Sequence, residues 1–182
     1  MTPYEIHISF PPEEIEKVRN NCCGAFKIHT FQNYTSLYTI TDTMTSEKTM
    51  CSNLSAAMKK MYERITDMKL DGITILRSKI ETIPWHDQPL DDAYFETHIN
   101  YIGEPLPSHA VRSNCLLSKD NLKKKNILTL RTDFDFDDHM DQLHRTVAWL
   151  GSKNIYVMGK PDIEMVIYDS NRAHDKIWEG KK

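Results

Sequence analysis

Two short segments carry the residues best suited to acid–base chemistry. "YEIHISF" (4–10) and "FETHINY" (95–101) each place a Glu two residues before a His, followed two further on by Ser9 or Asn100. Residues two apart share a face of a strand. Glu5, His7 and Ser9 therefore form one polar row, and Glu96, His98 and Asn100 form another. Histidine gains and loses a proton near neutral pH, so two of them beside one substrate would serve as general base and general acid. Arg77, Lys79 and Glu81 make a third row, and Lys27 with His29 a fourth. Cations in such rows fix a phosphate. The rows also have a plainer reading. An antiparallel sheet covered by helices on one face shows water a polar face, and Glu beside Arg or Lys is then an ordinary cross-strand pair.

The elements that must position these rows repeat along the chain. "PYEIHISF" alternates as a half-buried strand, with Tyr4, Ile6, Ile8 and Phe10 on its apolar face. "PPEEIEKVRNNCCG" reads as a helix, "AFKIHTF" and "TSLYTIT" as strands, and "TDTMTSEKT" as a polar loop. "SNLSAAMKKMYERITDMKLDG" has Leu54, Met58, Met61, Ile65 and Met68 in one helical stripe, and Ser46 or Ser52 is its expected cap. "ITILRSKIETI" is a strand. This order reads as a ferredoxin-like βαββαβ unit. "PWHDQPLDD" is the most loop-like stretch, and a second series follows it: strand "AYFETHINYI", strand "NILTLRTDF", helix "DFDDHMDQLHRTVAWLGSKN", strands "IYVMG" and "EMVIYDSN". The expected fold is α/β (α+β): duplicated ferredoxin-like lobes with antiparallel sheets forming one compact two-lobed domain. The lobes span 1–84 and 94–182, with a junction at 85–93.

"IHIS" (6–9) and "HIN" (98–100), on matching strands of two α/β halves, resemble the signature strands of the two-histidine phosphoesterase superfamily. That family opens cyclic phosphodiesters or cleaves related RNA ends without a metal. The resemblance implies His7 and His98 as base and acid, with Ser9 and, in place of the family's hydroxyl, Asn100 holding the phosphate. Glu5, Glu96, Arg77 and Lys79 complete the expected site. A nucleotide or an RNA end is the implied partner. "MTSEKT", "ILRSKIET", "YFETHI" and "YDSNRAHDKIW" also resemble an uncharacterised family sometimes labelled after ankyrin repeats. No 33-residue ankyrin period is present, and the label carries no function. The alternative is a non-catalytic duplication that binds a small anionic ligand or a protein partner.

Other features narrow the field. The chain has 182 residues and a formal net charge of -3, so no basic field draws in duplex nucleic acid or a membrane surface. No apolar run reaches membrane-spanning length. Cys22, Cys23, Cys51 and Cys115 contain no CxxC and read as reduced thiols of a cytoplasmic protein. No GxSxG, HExxH, GxGxxG or zinc-finger spacing occurs, so neither a cofactor nor a metal is expected. The acidic run from Asp133 to Asp141 suits a helix start. His139 and His144 lie five apart, off one helical face. Lys123–Lys125 reads as a solvated loop, and the tail from Asp169 to Trp178 as a turn with a packing aromatic.

Overall fold

The computed structural model describes residues 1–21, 26–34, 39–84, 92–107, 115–120, 125–133, 135–172 and 174. Cys22, Cys23, Lys123, Lys124, Asp175, Trp178 and residues 85–91 of the junction lie outside them. Among the described residues are nine strands: β1 (Thr2–Phe10), β2 (Lys27–Tyr34), β3 (Thr39–Cys51), β4 (Arg77–Thr82), β5 (Tyr94–Ile102), β6 (Cys115–Asp120), β7 (Lys125–Thr132), β8 (Tyr156–Val157) and β9 (Asp162–Asp169). Three helices accompany them: α1 (Ile15–Asn21, after a 3-10 turn at Pro12–Glu14), α2 (Leu54–Leu70) and α3 (Phe136–Ser152).

The strands run β7-β6-β2-β3-β1-β4-β9-β5, and β5 pairs back with β7, so the sheet closes on itself. The result is an eight-stranded antiparallel barrel, with β8 added beside β5. This overturns the expected α/β (α+β) fold of duplicated ferredoxin-like lobes. Two open sheets would each leave two edges of unpaired backbone groups. Here β2 of the first half pairs with β6 of the second, and β4 pairs with β9, so every edge of both halves is used. The halves nevertheless repeat in pairing: β2-β3-β1-β4 in the first, β6-β7-β5-β9 in the second.

Alternation then sorts the side chains. The apolar rows face outward, under the helices. Tyr4, Ile6, Ile8 and Ile80 pack with Met61 and Met68 of α2. Ile99, Tyr101, Leu128 and Leu130 pack with Leu143 and Leu150 of α3. Asn53 caps α2 by accepting from Ala56 N at 3.0 Å, in place of the expected Ser46 or Ser52. Asp135 does the same for α3, accepting from Asp138 N at 2.9 Å. His139 is fully buried on α3, bonded to Thr97 Oγ1 at 2.6 Å and Thr132 Oγ1 at 2.7 Å. It ties the helix to the barrel wall.

Two elements differ from the sequence reading. "TDTMTSEKT" is no loop; it is the middle of β3, a 13-residue strand. Its polarity fits because Asp42, Met44, Ser46 and Lys48 face the polar interior. Glu47, on the outer side, meets Lys60 at 2.7 Å and Arg64 at 3.3 Å on α2. "CLLSKD" is the strand β6, which the sequence reading left unassigned.

Candidate functional site in the barrel lumen

An eight-stranded barrel is usually just wide enough for its own side chains or one small ligand. This one encloses a cavity of about 670 Å³ lined by polar rows from both halves. Of the residues expected at a site, Glu5, His7, Arg77, Lys79, Glu96, His98 and Asn100 all line it. Ser9 does not. It is buried beside Arg77 in the ladder, and its carbonyl accepts from Leu76 N at 2.9 Å. The polar rows thus face neither bulk water nor a cleft between lobes. They face the inside of the barrel, because the helices claim the outside.

The strand registers of the two halves match. Glu5 stands opposite Glu81 and His7 opposite Ser46; Glu96 stands opposite Glu164 and His98 opposite Thr129. Each histidine therefore has a glutamate on its neighbouring strand. His7 Nε2 meets Glu81 Oε2 at 2.8 Å, and His98 Nε2 meets Glu164 Oε2 at 3.3 Å. Glu81 and Glu164 come close enough where β4 meets β9 for each carboxyl to shift the pKa of the other. The outcome is one chain of groups, His7–Glu81–Glu164–His98, crossing the wall of the lumen.

Burial opposes charge on both histidines, but the facing carboxylates outweigh it. His7 lies above its ordinary pKa through the charge and hydrogen bond of Glu81. His98 is raised to about 9 through Glu164. Glu164 is itself raised to about 7, by burial and then by the charge of Glu81. Glu81 is held well below its usual range: burial opposes this, and His7 and Lys79 overcome it. Of the two carboxyls, Glu164 is the one whose pKa is raised, and so the one that holds a proton more readily.

The cations of the wall are engaged. Lys79 Nζ reaches Glu96 Oε2 at 2.7 Å and also contacts Glu81. Arg77 grips Asp169 through Nε at 2.9 Å and through a second nitrogen at 2.6 Å, and Tyr94 Oη donates to Asp169 at 2.7 Å. Arg131 and Arg172 lie 3.8 Å and 4.6 Å from the centre of the Tyr94 ring. This cluster, with His174 on Asp42 at 3.4 Å, sits at one end of the barrel. Glu5, Lys48, Asp162 and Glu164 ring the other end, where a second hollow adjoins the lumen.

The two halves differ at one atom pair. His98 Nδ1 bonds Thr129 Oγ1 at 2.9 Å. Ser46, the counterpart of Thr129, instead donates to Glu5, and His7 Nδ1 is buried with no partner among the described residues. Asn100 Oδ1 is a second buried atom without a partner. Among the described residues, no three His, Cys, Asp or Glu side chains form a metal-binding group.

Comparison with family models, curated proteins and solved structures finds no match to this chain. The α/β lobes on which the phosphoesterase resemblance leans are replaced by the barrel. Glu81 and Glu164 also link the two histidines. Hydrolase and phosphodiesterase labels therefore draw no support from the fold. Sequence reasoning placed Glu81 on a polar row but left it out of the site, read Asp169 as part of a turn, and missed Glu164. The available signal was the x-Glu-x spacing of "DIEMV", which repeats the role of "KIET" in the first half.

Proposed function

We propose that the barrel is a receptor for a small phosphate-bearing ligand, a nucleotide or an RNA end, held in the lumen with its anionic group beside His7. The observation that carries this reading is the unpartnered His7 Nδ1. Glu81 raises the pKa of His7 and so favours its imidazolium form, in which both ring nitrogens are donors and Nδ1 has no acceptor among the described residues. A buried donor without a partner is costly, and a phosphate oxygen relieves that cost with a charge-assisted bond. Glu81, Glu96 and Asp169 are already neutralised by His7, Lys79 and Arg77. Glu164, near its midpoint at neutral pH, takes up a proton when an anion arrives. The cavity volume falls within the range of small-molecule sites.

Calorimetry of the full chain with ribose 5-phosphate at pH 7, in two buffers of different ionisation heat, tests this. Binding with net proton uptake is expected, weakened about tenfold or more in His7→Gln. Absence of binding to ribose 5-phosphate and to inorganic pyrophosphate would reject the reading. The same samples incubated with 2′,3′-cyclic AMP should return the nucleotide unchanged. Turnover that His7→Gln abolishes would replace binding with cleavage.

A further inference from the structure

The wall of the lumen opposite the carboxyl pair has a different chemistry. In the ring of eight strands, the β2–β6 seam lies across from the β4–β9 seam. Around it the cavity is lined by an apolar patch of Phe31 on β2, Met44 on β3, Leu116 on β6 and Ile127 on β7, set among polar residues of the same strands such as Asn33 and Ser118. Phe31 and His29 are two apart on β2 and share the inward face; their rings are parallel, 4° apart in plane, with centroids 5.8 Å apart. Met44 and Ile127 are counterparts in the two halves, since Met44 stands opposite Ser9 and Ile127 opposite Asn100. The apolar wall is therefore built by the same repeat that builds the charged one. A barrel that only had to fold would fill its interior with such side chains. Here they border open volume and confront a charged wall.

We infer that this wall is a subsite for the planar ring of a nucleoside phosphate, stacked on Phe31 and His29 while the phosphate lies beside His7. This rests on the phosphate-receptor reading and names its ligand class. A flat heteroaromatic ring gains from parallel aromatic faces and from the Met44 and Ile127 flanks. Its polar edge needs a partner beside this wall. Asn100, the ladder neighbour of Ile127, offers the unpartnered Oδ1 as an acceptor for a ring N–H. A sugar phosphate has the anion without the ring. It leaves the apolar wall facing water and uses half of the site.

The test compares AMP with ribose 5-phosphate on the full chain by calorimetry. AMP is expected to bind about tenfold tighter or more. Phe31→Ala, and separately Phe31→Leu to guard against a collapsed lumen, is expected to bring the two ligands to within about threefold of each other. If ribose 5-phosphate binds and AMP binds no tighter, the ring subsite is wrong and the phosphate reading stands. If AMP keeps its advantage in both Phe31 variants, the ring lies elsewhere and the subsite is likewise rejected. If neither ligand binds wild type, both readings fall.

Discussion

Glu81 and Glu164 meet at the β4–β9 seam, each with a histidine behind it, His7 at 2.8 Å and His98 at 3.3 Å, and Glu164 is the carboxyl whose pKa is raised. Two like charges this close cannot both ionise freely. The pair therefore converts a repeated Glu-and-His pattern into a proton-holding device inside the barrel. Carboxyl carbon NMR should show Glu164 titrating near pH 7, since its pKa is raised to about 7. Glu81→Gln removes the neighbouring charge and should move Glu164 down toward ordinary glutamates. A wild-type Glu164 already in that range would refute the coupling of the two carboxyls.

Stability should fall as pH rises through neutrality. His98 has a folded pKa raised to about 9, above the unfolded value of about 6.5. Its contribution is full below the unfolded pKa and lost as pH rises through 9. Glu164, also raised on folding, loses its contribution as pH rises from the unfolded range through about 7. Both act in one direction. Urea unfolding should show a loss of about 1–2 kcal/mol between pH 6.5 and 9, allowing for the partial exposure of His98. The slope should flatten in His98→Asn. A stability that climbs across this interval would contradict the ion pair.

His139 should act with the opposite sign. Burial lowers its pKa to about 4, so its contribution is present above the unfolded value and lost as pH falls through 4. His139→Leu should cost about 2–3 kcal/mol at pH 7 by stranding the Thr97 and Thr132 hydroxyls, and it should remove part of the wild-type acid sensitivity below pH 6. An unchanged unfolding midpoint at pH 7 would show that α3 does not depend on this anchor.

The sequence made the rows of alternating polar residues legible, because a period of two needs no partner strand to be seen. Glu5 and His7, Glu96 and His98, and Arg77 and Lys79 are together in the lumen for that reason. Closure was not legible. It depends on β2 meeting β6 and β4 meeting β9, pairings between residues more than 80 positions apart. Without closure, a polar face reads as solvent-facing, and Thr-rich "TDTMTSEKT" reads as a loop. Glu164 was hidden for a related reason. The register shifts between Ile80 and Glu81 where β4 pairs with β9, so the inward positions of β9 do not follow from simple counting.

The Arg77–Asp169 end of the barrel should be fragile to single substitutions. Arg77 holds Asp169 by two nitrogens, and Asp169 is pulled down to about 2; burial opposes this, and Arg77 outweighs it. Arg77→Ala leaves a buried carboxylate without its partner and should cost about 3–5 kcal/mol. Arg77→Lys should recover only part, since an ammonium lacks the two-pronged geometry. The double variant with Asp169→Ala should cost less than the sum of its parts in chemical denaturation. Strict additivity would mean that the pair is not coupled.

The most direct measurement is the imidazole nitrogen spectrum of the full chain at pH 7, recorded before and after ribose 5-phosphate. Among the described residues His7 Nδ1 has no partner, whereas His98 Nδ1 has Thr129. The His98 ring, with its pKa raised to about 9, should be protonated at the outset. On addition, the His7 Nδ1 resonance should move as its proton gains a phosphate oxygen, and that of His98 Nδ1 should move much less. A His7 resonance that stays in place at saturating ligand would contradict the claim that the lumen receives its anion at His7.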